Sequence, residues 1–429
     1  MTSAVETVPA SEWRRHGWII VPCLAGNLLS AVHSYALGPM IVPLEGEFGW
    51  SRAEITSGLL VISLIAMIFA PIVGMAMDRY GVRKIALPGV LLYCGALALL
   101  GTATQSISVW WLLWGLLGLA NMFVAPMIWA AAINGRFDKN RGMALALAMC
   151  GYSLAGMFVP YLTTMLIASF GWRGSFAALA LISCLLVLPL VVLLFHDQPG
   201  STQRQRGDAA RPGSRTAEVR ALMRSRRFLL LAGAVVTFTV ALCSMTTNGV
   251  PVLMGEGFDR TTAAAIAGFI GLGSITGRLL GGFLLDRFDA KKVAAISVAV
   301  PVFAVLLLLQ TQGSQTAASL AFFVVGIAGG TELDACAYLA ARHFGMRNFG
   351  ALFGMISGLI LLANGIAPAG ANYTYDVTGS YDLALWIVIG LFLASAVMFL
   401  ALGRYPELDA AETDNGSGLS PNALATDQR

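Results

Sequence analysis

The chain has 429 residues, of which 57% are hydrophobic and 12% charged, with a formal net charge of +4. A soluble protein of this size carries roughly twice that charged fraction, so a soluble enzyme is excluded, and the basic excess sits in a few loops rather than in a nucleic-acid-binding patch. The apolar residues are gathered in windows of ~20, the length a helix needs to cross ~30 Å of hydrocarbon, and the fold class expected is an all-α polytopic membrane protein.

The first sixteen residues, with Glu6, Glu12, Trp13, Arg14 and Arg15, lack the pattern of a cleavable signal peptide. The first span is therefore expected to anchor the chain. Spans are expected near 17–43, 53–77, 84–104, 108–134, 142–167, 173–196, 227–250, 262–285, 291–312, 316–341, 350–372 and 382–403. The polar stretch "DQPGSTQRQRGDAARPGSRT" separates spans six and seven. Residues 1–196 thus read as an N-terminal six-helix bundle, 197–226 as a linker, 227–404 as a second bundle and 405–429 as a disordered tail.

Orientation follows from the basic residues. Arg79, Arg83 and Lys84 follow span two, Arg136, Lys139 and Arg141 follow span four, and Arg287, Lys291 and Lys292 follow span eight. Eight arginines lie between Arg204 and Arg227, whereas the alternate loops are short or acidic, as with Glu45, Glu47 and Glu54. Lys and Arg mark cytoplasmic loops, so both termini and the linker are expected to be cytoplasmic, in a plasma membrane such as the bacterial inner membrane. All six cysteines lie in apolar spans without CxxC or metal-ligand spacing, which argues against disulfides and zinc. No phosphate-binding loop, nucleophile elbow or metal cluster is visible. The expectation is a monomer that is not an enzyme and has no cofactor.

The two halves match each other at an offset of 208 residues: Pro43 with Pro251, Arg52 with Arg260, Gly74 with Gly282, Asp78 with Asp286, Arg79 with Arg287, Gly118 with Gly326 and Gly171 with Gly379. Two parallel six-helix repeats around a midplane site describe transporters that rock between two open states. After span two comes "GMAMDRYGVRK", Gly74 to Lys84, with a looser copy "GFLLDRFDAKK" from Gly282. A basic anchor alone requires no spaced Gly and Asp. Gly74, Asp78, Arg79, Gly81, Arg83 and Lys84, with Asp286 and Arg287, are therefore read as a cytoplasmic gate.

Over essentially its whole length the chain resembles the major facilitator superfamily. Within it, "EFGWSRAEI", "RGMALALAMCGYSLAG", "FGWRGSF" and "YDVTGSYDLAL" resemble the monocarboxylate transporter family and its bacterial relatives. The resemblance implies transport of a small organic anion with a proton. It also implies that Arg278, which matches the span-eight arginine of that family, receives the substrate carboxylate. Animal members carry a lysine late in the first span. Here "AVHSYALGPMIVP" has none, leaving His33 and Tyr35 as polar stand-ins.

The acidic pair Glu332 and Asp334 in span ten is absent from the animal pattern. By helical rise Arg278 lies ~12 Å above the cytoplasmic end of span eight, and the two acids ~12–15 Å above the end of span ten. Similar depth in the same half predicts that one acid pairs with Arg278 while the other serves proton passage or structure. Two positions apart, they point to opposite helix faces. Asp334 shares a stripe with Tyr338 and Arg342, and Glu332 a side with Ala328, Gly329 and Cys336. A carboxylate that competes for the guanidinium until it is protonated would couple anion binding to a proton; a permanent salt bridge is the structural alternative. Asn121, Asn248 and Asn364 are expected as pocket lining or as interhelical hydrogen bonds, and Trp110, Trp111 and Trp114 as interface anchors. The expected function is proton-coupled uptake of a small organic anion. The alternative is a proton-driven exporter or antiporter of amphiphiles, although Gly151 and Gly156 in "GYSLAGMFVP" do not fit the span-five pattern of drug antiporters.

Overall fold

In the computed structural model, residues 12–137, 140–195, 220–310 and 313–403 are described, without the side chains of Asp78, Asp286, Leu333 and 346–349. Most of the expected linker, and the tail beyond 403, lie outside the described residues.

The first four crossings are α1 (Glu12–Phe48, with a short 3₁₀ turn at Gly17–Ile19), α2 (Arg52–Tyr80), α3 (Val82–Leu99) and α4 (Ile107–Asn134). The next helical run, Arg141–Leu194, is 54 residues long. As one rod it would measure ~80 Å, far more than a bilayer core. It breaks at Gly171, whose φ of 66° and ψ of 173° are open essentially only to glycine, giving α5 (141–170) and α6 (172–194).

The second half repeats the plan with α7 (Arg226–Gly255), α8 (Arg260–Leu285) and α9 (Ala290–Leu308). A 64-residue run then breaks at Gly345, φ 71° and ψ 159°, into α10 (Gln315–Gly345) and α11 (Gly350–Thr378), and α12 (Asp382–Leu400) closes the chain. The described residues thus hold twelve crossings, near the twelve expected, with no strand. The start of α1 and the end of α12 share one face, called here the terminal face.

Apolar burial falls into two clusters, one running from Ile19 to Phe195 and the other from Phe228 to Leu402. The expectation for the tryptophans needs correcting. Trp110 and Trp114 are fully buried, while Trp111 is exposed. Trp110 donates to the Ile55 carbonyl at 3.0 Å. Trp114 lies against Gly58, where a Cβ would come 2.5 Å from the indole. These two rings fill the α2–α4 interface because α2 offers a glycine there.

Across the two halves, α2 meets α11 and α5 meets α8. Ser153 Oγ donates to Ser274 Oγ at 2.9 Å, and a Cβ on Gly365 of α11 would come 2.8 Å from Leu60 Cα of α2. Both contacts lie near mid-depth. From there towards the face opposite the termini the halves are joined by further hydrogen bonds.

Candidate functional site

The site is built on the packing of α8 against α10. Gly277 has its Cα turned to the backbone of Ile327, where a Cβ would meet the carbonyl oxygen at 2.0 Å. A Cβ on Gly330 would meet the Ser274 carbonyl at 2.1 Å and the Arg278 nitrogen at 2.7 Å. Thr331 Oγ1 donates to the Gly277 carbonyl at 2.9 Å, pinning the register. Small residues let membrane helices approach to backbone contact, and that approach seats Arg278 beside the turn of α10 that carries Asp334.

Arg278 Nη1 lies 3.5 Å from Asp334 Oδ1, with the arginine side chain 8% and the carboxylate 38% exposed. A closed charge-assisted hydrogen bond runs nearer 2.7–2.9 Å. The pair is therefore loose, and Arg278 Nε has no hydrogen-bond partner among the described residues. The fork keeps donors for a second carboxylate. Cys150 on α5 is near enough to both charges to interact electrostatically with them, so the pair sits where the two halves face each other.

Glu332 points elsewhere, as its position on the helix requires. It is 6% exposed, its electrostatic neighbours are Asp334 and the thiols of Cys243 on α7 and Cys336, and its Oε1 has no hydrogen-bond partner among the described residues.

The remaining candidates scatter. His33 is buried within the N-terminal bundle, where its Nδ1 lies 3.1 Å from the Tyr93 hydroxyl and its ring meets Trp114 edge-on at 6.2 Å. It is held by packing between α3 and α4, away from the Arg278–Asp334 pair. Tyr35, on the other side of α1, is half-buried against Gly156 of α5, where a Cβ would come 3.0 Å from the phenol ring. It also lies within electrostatic range of Cys243 across the two halves.

The three asparagines behave differently from one another. Asn364 accepts from Cys243 Sγ at 2.9 Å, joining α11 to α7. Asn248 accepts from Asn372 at 2.8 Å and donates to the Pro368 carbonyl at 3.5 Å, which ties α7 to α11 closer to the face opposite the termini. Asn121 is buried at the point where α4 loosens into a 3₁₀ turn, Met122–Val124, and its Oδ1 has no partner among the described residues.

At the terminal face Gly81 takes φ 86° in the α2–α3 turn. Arg83 Nη2 donates to the Val192 carbonyl at 3.1 Å, and Lys84 is exposed. Arg79 lies over the Tyr80 ring at 5.3 Å and Arg287 over Phe283 at 4.4 Å. Gly74 faces Met127 with room for a Cβ at 3.8 Å. The side chains of Asp78 and Asp286, on which the expected gate pairing turns, lie outside the described residues.

Sequence reasoning missed the α8–α10 glycines, although Gly273, Gly277 and Gly281, with Gly326 and Gly330, carry the four-residue spacing in plain view. It also missed Tyr152, half-buried on α5 and within electrostatic range of Cys243, and the cluster around Arg52 at the face opposite the termini.

A family model described as Major Facilitator Superfamily matches residues 23–331 and 234–425. Monocarboxylate transporter 4 of Rattus norvegicus is 26% identical over 419 residues, covering 92% of this chain and 84% of the relative. The 4-hydroxybenzoate transporter PcaK of Acinetobacter baylyi is 24% identical, with 82% and 86% covered. Among solved structures, a point mutant of the nucleoside transporter NupG superposes with a TM-score of 0.73 at 14% identity, over 90% of this chain and all of that one. At that identity the likeness concerns the fold alone.

Proposed function

The chain belongs to the Major Facilitator Superfamily, and on that premise we propose that it takes up a small organic acid anion together with a proton, with Arg278 as the anion ligand and Asp334 as the proton carrier. The terminal face is cytoplasmic in this reading, in line with the arginines and lysines gathered there, and the membrane is the plasma membrane.

The observation that carries the proposal is the loose Arg278–Asp334 contact, a buried guanidinium set against a half-exposed acid at 3.5 Å. Arginine stays charged and can grip a carboxylate with two parallel N–H donors. While Asp334 is ionised it competes for that fork. A proton on Asp334 removes an attraction of order a few kcal/mol before solvent screening reduces it, and the substrate carboxylate takes its place. Proton and anion then cross together when the halves rock. Release of the proton on the cytoplasmic side returns Asp334 to the fork and expels the anion.

Glu332 does not compete for this fork, because it lies on the other face of α10, within electrostatic range of Cys243 and of Asp334 but, among the described residues, with no ion pair to Arg278. The relatives support organic acids as the substrate class, one being named for monocarboxylates and another for 4-hydroxybenzoate.

The test is uptake into proteoliposomes with an imposed inward proton gradient. Labelled lactate and 4-hydroxybenzoate are offered separately, and one of them should accumulate and collapse on adding a protonophore. Depletion of preloaded vesicles under the same gradient would show export and end the uptake reading.

A further inference from the structure

A helix start leaves its first backbone N–H groups without partners in the helix. At the start of α2, Ser51 satisfies one of them: its Oγ accepts from Glu54 N at 3.2 Å, and Ser51 N in turn donates to the Glu54 carboxylate at 2.9 Å. The two N–H groups between go to the other half of the molecule. Arg52 N donates to Asp376 Oδ1 at 3.0 Å and Ala53 N to Asp376 Oδ2 at 2.9 Å, both oxygens belonging to one carboxylate near the end of α11.

The side chain of Arg52 follows its backbone across. Its Nη1 donates to Tyr381 Oη at 3.2 Å, its guanidinium lies 3.6 Å from the centre of the Tyr375 ring, and its Nε donates to Glu45 at 3.0 Å. Behind it, Tyr381 donates to Asn372 at 2.7 Å, and Asn372 donates to Thr56 of α2 at 3.2 Å. The two halves are thus bonded through three residues of α2: Arg52, Ala53 and Thr56.

The internal repeat shows that this arrangement is one-sided. Arg52 has its counterpart in Arg260 at the start of α8, but the counterpart of Asp376 is Ala168. The start of α8 is closed from its own chain, by Asp259, which accepts from Thr261 N at 3.0 Å and Thr262 N at 3.1 Å. One repeat caps its helix wholly in cis, whereas the other adds to its own Ser51–Glu54 box a carboxylate borrowed in trans. Nearer mid-depth the interfaces resemble each other again: Gly365 bears on Leu60 in one, and in the other a Cβ on Gly271 would come 2.2 Å from the Ser153 carbonyl. Both interfaces have a backbone-close bearing point, and among the described residues only α2–α11 carries a charged tie beyond it.

We propose that Asp376 is a latch: by capping α2 from the opposite bundle it holds the face opposite the termini shut, and the strength of that tie sets how often this face opens. This rests on the reading of the two halves as rocking bundles, but not on Arg278, Asp334 or the identity of the substrate. When α2 and α11 part at this face, the Arg52 and Ala53 N–H groups exchange a carboxylate for water, so weakening the acceptor favours the open state.

The test needs no substrate. A cysteine in place of Leu60, which lies inward of the latch, reports opening through its rate of reaction with a membrane-impermeant maleimide in right-side-out vesicles; protein lacking that cysteine gives the background. Asp376→Ala should raise the labelling rate about tenfold, the scale of one net charge-assisted hydrogen bond, and Asp376→Asn by less, since its amide keeps one acceptor oxygen. Where the alanine variant fails to insert or to run as a folded species, the isosteric Asp376→Asn decides alone. Unchanged labelling in a folded variant overturns the latch, whether or not that variant transports; faster labelling with transport lost keeps the latch and counts against the transport reading.

Discussion

Asp334 lies one helical turn beyond Gly330 on α10, and Gly330 is the residue that touches the backbone of Arg278. The close approach of the helices therefore delivers the acid to within 3.5 Å of the guanidinium. Charge pairing and backbone packing are one feature here, and they can be separated by substitution.

Arg278→Gln removes the charge and the fork while keeping a polar side chain of similar reach. Uptake of organic anion by this variant should fall by ~100-fold or more, the scale expected when a charged hydrogen-bonding partner is lost from a desolvated site. Arg278→Lys should recover part of the activity, since it restores charge without the planar fork. Saturation kinetics in proteoliposomes will show this as a raised KM; wild-type kinetics in the glutamine variant would remove Arg278 from the substrate path.

Asp334→Asn imitates the protonated acid permanently. Gradient-driven accumulation should be lost, while exchange of internal for external anion persists, and the rise in uptake on lowering external pH should flatten. Glu332→Gln, measured beside it, should keep the pH response, because it is Asp334 and not Glu332 that lies within ion-pair distance of Arg278. If the two variants exchange these behaviours, the proton carrier has been assigned to the wrong acid.

Gly330→Ala places a Cβ 2.1 Å from the Ser274 carbonyl and 2.7 Å from the Arg278 nitrogen. Neither atom can yield without moving α8, so overpacking of ~1–3 kcal/mol is expected, seen as a melting temperature lower by several degrees. Gly354→Ala is the control: nothing lies within 4 Å of its Cβ position, and alanine is the better helix former. Equal melting temperatures for the two variants would contradict the α8–α10 contact.

How legible all this was in the sequence depended on which signals are local. The spans, their number and the repeat could be read because hydrophobic length and matched residues need no knowledge of contacts. Arg278 and the two acids were legible because a charge at membrane depth stands out against its neighbours. Opposite directions for Glu332 and Asp334 followed from two positions along a helix, but which of them met Arg278 depended on which face α8 covers. Trp110 and Trp114 read as interface anchors because their burial is set by Gly58 and Ile55 on another helix. The pairing of Asp376 with Arg52 stayed invisible for the same reason: both segments stand out as family-like stretches, but a carboxylate 324 residues from the N–H group that it caps gives neither of them a sign of the other.

His33 offers a sharp separation of packing from ligand binding. Its Nδ1 is paired with the Tyr93 hydroxyl at 3.1 Å, and its backbone nitrogen lies 3.2 Å from the same oxygen. His33→Phe keeps an aromatic ring between Tyr93 and Trp114 but deletes one polar partner of a buried hydroxyl, which costs roughly 1–3 kcal/mol. The variant should melt at a lower temperature, yet transport with a KM within about twofold of wild type, because an interaction remote from the anion contributes little to its binding. Tyr35→Phe, on the other side of α1, should do the reverse, shifting KM with little effect on melting. A His33 variant that loses affinity at unchanged stability would put the imidazole back in the substrate path and displace the packing role argued here.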